Sequence, residues 1–241
     1  MRNIFILAGG VIKELIRRKD FYFILALLIM VIVFSATFSF GGQTGLHRYF
    51  KEICISLAYI FSVIIAITFA ARQIPQEIES KTIYPLLAHP VSRWEFIVGK
   101  FLGVLIVSIL SFTLFYLIFI VSMIARGDLS TPPILFIEAY ILHIFLLSFF
   151  ASLTILASFF LSVAANSQGM VILYFGMNWF GATLPGYIWL PHPELFDIKE
   201  KVIHALDIVP PWVMLFMAGY GIIYTALFLM ASYLVFRRRN I

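Results

Sequence analysis

The sequence predicts an all-α, polytopic membrane protein with six transmembrane helices. Three observations predict it. Of 241 residues, 62% are hydrophobic and 12% charged, about half the charged share of a soluble domain. The charges are also clustered, and no Lys, Arg, Asp or Glu occurs between Glu138 and Glu194. Glycines, prolines and polar residues then divide the apolar sequence into lengths near the ~20 residues a helix needs to cross a bilayer. A soluble fold of this size could not cover so much apolar surface. The net charge of +5 fits basic residues facing anionic headgroups and gives no reason to expect a nucleic-acid partner.

The elements follow in chain order. Residues 1–19 read as an N-terminal amphipathic helix lying in the headgroup plane. Ile4, Ala8, Val11 and Leu15 recur at helical spacing, widened by Phe5, Ile12 and Ile16, with Lys13, Glu14, Arg17 and Arg18 toward the other side. Those charges, without a small-residue cleavage pattern, argue against a cleaved signal. The first span covers about 21–40. Gly41, Gly42 and Gly45 end it, and a polar loop with His47, Arg48, Lys51 and Glu52 follows. The second span covers about 53–71 and the third about 96–125. The charge-free window is too long for one crossing, and its turn-like point is Asn166-Ser167-Gln168-Gly169. That places the fourth span at about 134–165 and the fifth at about 170–184. Residues 185–211 form a polar segment with a short helix, where Asp197 and Glu200 have capping-box spacing. The sixth span covers about 212–236 and is stopped by Arg237, Arg238 and Arg239. The whole chain, 1–241, reads as one transmembrane domain.

Six spans put both termini on one side. Twelve of the basic residues fall on that side and five on the other. Both termini are therefore expected in the cytoplasm. By the same rule residues 72–100 are cytoplasmic and 185–211 external.

Few residues suggest bond-making chemistry. There is no H-E-x-x-H, no G-x-S-x-G and no G-x-x-x-x-G-K-[ST], so the chain is not expected to be an enzyme or to bind ATP through a P-loop. Cys54 is the single cysteine, which excludes an intrachain disulfide. His192 and His204 lack Met or Cys companions and do not make a copper site, so no metal is expected. His143 is the one histidine inside a span, suited to a helix–helix hydrogen bond or a proton relay. A secondary carrier would need buried carboxylates that the spans do not supply. Gly99 and Gly103 form a G-x-x-x-G pair that either admits a close helix or loosens the start of the third span.

The polar stretch 72–100 holds more information. Pro75 suits a first helical turn, and Glu77 and Glu79 would then lie where the helix dipole favours negative charge. Ser92-Arg93-Trp94-Glu95 is a capping box that starts the third span after Pro90. From the residues alone, the stretch is either a docking element or an ordinary interfacial loop.

Its order resembles that of the permease subunits of type-2 ABC exporters. The carriers of the resemblance are Glu77, Glu79, Lys81, Thr82, Leu86, Leu87, Pro90, Val91, Ser92, Arg93, Gly99 and Lys100. The family often has Gly where this chain has Ser80 or Lys81. The resemblance implies a cytoplasmic coupling helix within 73–92, with Glu77, Glu79, Lys81, Thr82, Leu86, Leu87 and Arg93 serving ATPase docking or coupling. It implies two copies of a separate ABC ATP-binding subunit, a second permease copy, and a bacterial or archaeal cytoplasmic membrane. No cofactor is implied on this chain, since ATP and Mg belong to the partner. The segment Leu190-Pro191-His192-Pro193-Glu194-Leu195-Phe196-Asp197 resembles the branch associated with multicopper-enzyme maturation, which includes the permease needed to assemble nitrous oxide reductase. There Phe196, Asp197 and Glu200 would meet a periplasmic protein or a substrate exit. The function implied is ATP-driven export, with a non-transporting scaffold for a maturation factor as the alternative.

Overall fold

The computed structural model describes residues 2–19, 22, 26, 29–30, 45–79, 92–125, 127, 131–180 and 191–238. Among them there is no strand. The helices are α1 (Arg2–Ile16), α2 (Gly45–Glu79), α3 (Arg93–Ala125), α4 (Pro133–Ala157), α5 (Val163–Phe180), α6 (Lys199–Ile203) and α7 (Pro211–Arg238), with a 3-10 turn at Pro193–Phe196 before α6. Among the described residues, four helices are long and apolar enough to cross a membrane: Arg48–Glu79, Arg93–Ala125, Pro133–Ala157 and Pro211–Arg238. The expected first span lies outside the described residues except for 22, 26, 29 and 30, which are helical.

The core is the mutual packing of α2, α3 and α4. Tyr59 from α2, Phe112, Phe115 and Phe119 from α3, and Phe149 and Phe150 from α4 are completely buried there. At their junction the His143 ring lies between Tyr59 and Phe112, with centroids 3.9 and 4.1 Å away. Its Nε2 is 2.7 Å from Ser62 Oγ, which itself donates to the Tyr59 carbonyl. His143 thus joins α4 to α2, as one of its two sequence readings anticipates.

Two helices flank this core by different means. α7 packs on α4, where a Cβ at Gly221 would meet Phe145 Cβ at 3.0 Å. Ser148 and Thr225 share a hydrogen bond of 3.0 Å across that seam. The opposite side of α7 is apolar and exposed, with Leu215, Phe216, Ile222 and Leu227 pointing outward, as a lipid-facing surface requires. α1 packs on α3. Asn3 is near Glu95, Leu7 near Gly99 and Val11 near Gly103. The paired positions advance together, so α1 runs alongside the start of α3 in the same direction. The amphipathic pattern alone suggested a helix lying across the spans. Its Ala8, Val11 and Leu15 are buried, while Phe5 and Ile16 are exposed.

Four local expectations are corrected. The loop expected around His47 to Glu52 is helical, because α2 begins at Gly45. Lys51 is buried there and donates to Thr131 Oγ1 at 3.0 Å, so its charge has a polar partner and the helix can include it. Pro75 does not start a helix but lies inside α2. Ile74 is fully buried and Ile78 packs against the core, which carries the helix through the proline. Glu77 and Glu79 therefore occupy the last turn of α2, the end that a helix dipole makes unfavourable for carboxylates. The break after the fourth span falls at 158–162, not at 166–169. Ser162 Oγ accepts from the Ala165 N–H at 3.4 Å. Asn166 is completely buried and donates to the Thr154 carbonyl at 3.0 Å, covering the end of α4. Finally, Asp197 and Glu200 do not form a capping box. Asp197 Oδ1 accepts from the Lys199 N–H at 3.1 Å, but Glu200 turns to His204 Nε2 at 3.2 Å.

Candidate functional site

The charged side chains gather at the two ends of the bundle. One end holds the start of α1, the C-termini of α2 and α7, and the start of α3; it is termed here the terminal end. There α3 begins with the reciprocal cap its sequence spells. The Ser92 N–H donates to Glu95 Oε2 at 3.0 Å, and the Glu95 N–H donates to Ser92 Oγ at 3.1 Å. Such a cap is worth about 1 kcal/mol. Asn3 Nδ2 reaches the same carboxylate at 3.5 Å, tying α1 to α3.

Arg93 faces the other way. Its Nη1 donates to the carbonyls of Phe236 and Arg237 at 2.8 and 2.9 Å. It thereby supplies donors and positive charge to the C-terminus of α7. Its guanidinium also lies 5.3 Å from the centroid of the Phe236 ring.

Lys100 lies in the third turn of α3 and is buried. Its Nζ meets Glu77 Oε1 at 2.5 Å. Glu77 side-chain exposure is 19% and that of Lys100 is 6%, so little solvent screens the pair. Removing one partner of a buried pair leaves an uncompensated charge, at a cost on the order of 3 kcal/mol. Beside it, Arg18 Nη2 bonds Glu14 Oε1 at 2.9 Å and Gln76 Oε1 at 2.7 Å, linking the end of α1 to α2. Gly99 and Gly103 flank Lys100 and admit α1. A Cβ built at Gly99 would lie 2.7 Å from Leu7 Cβ, and one at Gly103 2.5 Å from Val11 Cβ.

Four helices are thus joined by polar side chains around the two residues from which segment 80–91 departs and to which it returns. Glu79 ends α2 and is exposed. Lys81, Thr82, Leu86 and Leu87 lie outside the described residues. Of the residues expected to serve docking or coupling, Glu77 and Arg93 make contacts within the chain, and Glu79 is exposed.

The far end is built as firmly. Phe196 is completely buried, with ring centroids 6.4 Å from Phe145 and 6.1 Å from Tyr220. The His192 N–H donates to Tyr220 Oη at 2.8 Å. Glu138 accepts from the Val209 N–H at 3.1 Å. Thr131 Oγ1 donates to the Val202 carbonyl at 3.2 Å. Asp197 pairs with Lys199, while Glu200 is exposed. Burial holds the Glu194 carboxyl above the usual carboxylate range.

Sequence reasoning missed several of these residues. Lys100 appeared only among the carriers of the resemblance, Lys51 as a loop charge and Glu138 as the edge of the charge-free window. One signal could have flagged them. A charge set a turn or two inside an apolar run needs a partner.

Residues 36–241 match the family model described as ABC-2 family transporter protein. The chain belongs to this family. It is accordingly a transmembrane ABC transporter subunit, a permease, and a multi-pass membrane protein. No curated protein matches it. The family match begins after α1, so the Gly99–Gly103 seam joins matched sequence to a helix outside it. Many of the described polar groups of this ABC-2 permease pair off as caps, ion pairs and helix-to-helix hydrogen bonds. That arrangement holds helices in register.

Proposed function

We propose that the terminal end is cytoplasmic and receives a separate ATP-binding subunit on segment 73–92, and that the motion so received drives export. The observation that carries this reading is the polar frame around residues 79 and 92, which joins α1, α2, α3 and α7. A segment rooted in such a frame moves α2 and α3 when it is pushed, which coupling requires. The same reading includes two permease copies and two ATP-binding subunits in a bacterial or archaeal cytoplasmic membrane, both termini inside. ATP and Mg reside on the partner, and this chain holds no cofactor. The segment around Phe196 supports the multicopper-enzyme-maturation branch.

Glu79 is the acidic docking residue best placed to touch the partner. Affinity purification of the Glu79→Lys permease should recover about tenfold less of a Walker-A-bearing chain, the scale of losing an interfacial charge contact. Undiminished recovery would remove Glu79 from the interface.

One observation favours a second reading. The segment from His192 to Val209 is fastened to both α4 and α7. A far end held this way could pass motion to a periplasmic maturation factor without passing a substrate. Glu200 would then face that factor.

A further inference from the structure

We propose that Glu77 and Lys100 are a positioning pair for ATPase coupling: they clamp the last turn of α2 to α3 and fix the stems of segment 80–91, without touching the ATP-binding subunit. This rests on the docking reading given above and gives Glu77, through Lys100, coupling and not docking as its part in it.

The geometry separates the two acidic residues at the end of α2. Glu79 is exposed. Glu77 turns inward, its carboxylate 2.5 Å from a Lys100 ammonium whose side chain is 6% exposed. The ammonium also lies 5.8 Å from the centroid of the Phe96 ring. A carboxylate in the last turn of α2 opposes the helix dipole. Lys100, in turn, sits between Gly99 and Gly103, with α1 close against both. The ion pair therefore closes a junction of three helices near Glu79, where α2 ends.

Its position suits transmission. Residues 77 and 100 bracket segment 80–91, and each lies on a helix of the central core. With the pair intact, a push on the segment reaches α2 and α3 together. With it broken, the two stems can move apart and the push is absorbed locally. A buried pair has one good arrangement and is costly to stretch, which makes it a stiff connection.

Two measurements on the full-length permease test this. The first uses the permease alone in lipid nanodiscs, with spin labels at Glu79→Cys and Trp94→Cys in a Cys54→Ala background. One narrow distance is expected. Lys100→Met should broaden it, and the reversed pair Glu77→Lys with Lys100→Glu should narrow it again. A distance distribution unchanged by Lys100→Met overturns the clamp. The second measures ATP turnover and partner content of the purified complex, without the labelling substitutions. Lys100→Met should retain the ATP-binding chain yet lose about tenfold in turnover, the ordinary scale of a coupling term. The reversed pair should recover most of it. Retained partner with unchanged turnover overturns the inference alone. Loss of the partner in Lys100→Met, restored or not, shows a docking role for the pair and also overturns it. Failure of any ATP-binding chain to accompany the unaltered permease overturns the docking reading and this inference together.

Discussion

Glu194 stands in the 3-10 turn with Oε1 at 3.0 Å from His192 Nδ1, and burial raises its proton affinity. The folded protein therefore keeps this proton to higher pH than the unfolded chain does. Stability linked to Glu194 is full below the ordinary carboxylate value and is lost as pH rises through the raised folded value. Glu194→Gln should melt at a higher temperature than the unaltered protein at pH 7, and the gap should close toward pH 4. A lower melting temperature for the variant at pH 7 would mean that contact with His192 outweighs desolvation. The same scale shows what a sequence can and cannot reveal. Ser92 and Glu95 were legible because a reciprocal cap is set by residues three positions apart. Glu77 and Lys100 are separated by 23 positions. Only the antiparallel packing of α2 and α3 brings them together. The inward turn of Glu77 was hidden for that reason, and Pro75 misled by marking a helix start that tertiary packing overrides.

At the scale of elements, α1 packs on α3 where two glycines admit it and Asn3 reaches Glu95. The G-x-x-x-G spacing announced room for a helix, but it does not say which helix takes it. The site is tight: a Cβ at Gly103 would stand 2.5 Å from Val11 Cβ and 3.0 Å from the Ala8 carbonyl oxygen. Overpacking of this kind usually costs about 1–3 kcal/mol. Since α1 is short and packs mainly on α3, moving α1 is the cheapest way to relieve it. Asn3→Cys with Glu95→Cys, in a Cys54→Ala background, should crosslink with a short bifunctional maleimide, because the native side-chain tips meet at 3.5 Å. Adding Gly103→Val should cut the crosslinked fraction severalfold while the spans stay folded. An unchanged yield would show that α3 gives way instead. The α4–α5 break was misplaced for a related reason. Asn-Ser-Gln-Gly has turn composition, yet Asn166 lies inside a helix, with Nδ2 serving the Thr154 carbonyl. In an apolar surrounding a polar residue is as readily a bridge between helices as a turn, and composition does not separate the two.

For the whole molecule, the apolar runs and their breaks were enough to give an all-helical, membrane-spanning chain, because bilayer thickness imposes a length that sequence must obey. Helix ends were harder. α2 and α3 have 35 and 33 residues, about 50 Å each at 1.5 Å per residue. A hydrocarbon core is about 30 Å thick. Each helix must then project well beyond it, and hydropathy does not see a helix continuing into water. At the terminal end that projection carries Glu77 and Glu79 on α2 and Arg93 and Glu95 on α3. The proposal that this end is cytoplasmic rests on charge asymmetry, and the connectivity makes it testable. α7 is long and apolar enough for a single crossing between Pro211 and Arg238, which would put Glu200 and Arg238 on opposite sides of the membrane. Both are exposed. In a Cys54→Ala background, a membrane-impermeant maleimide applied to intact cells should label Glu200→Cys. Arg238→Cys should be labelled only after permeabilisation. The reverse pattern would invert the orientation and move segment 80–91 out of reach of a cytoplasmic ATPase. Labelling of both from outside would mean that α7 does not cross, and that its exposed Leu215, Phe216 and Ile222 face something other than lipid.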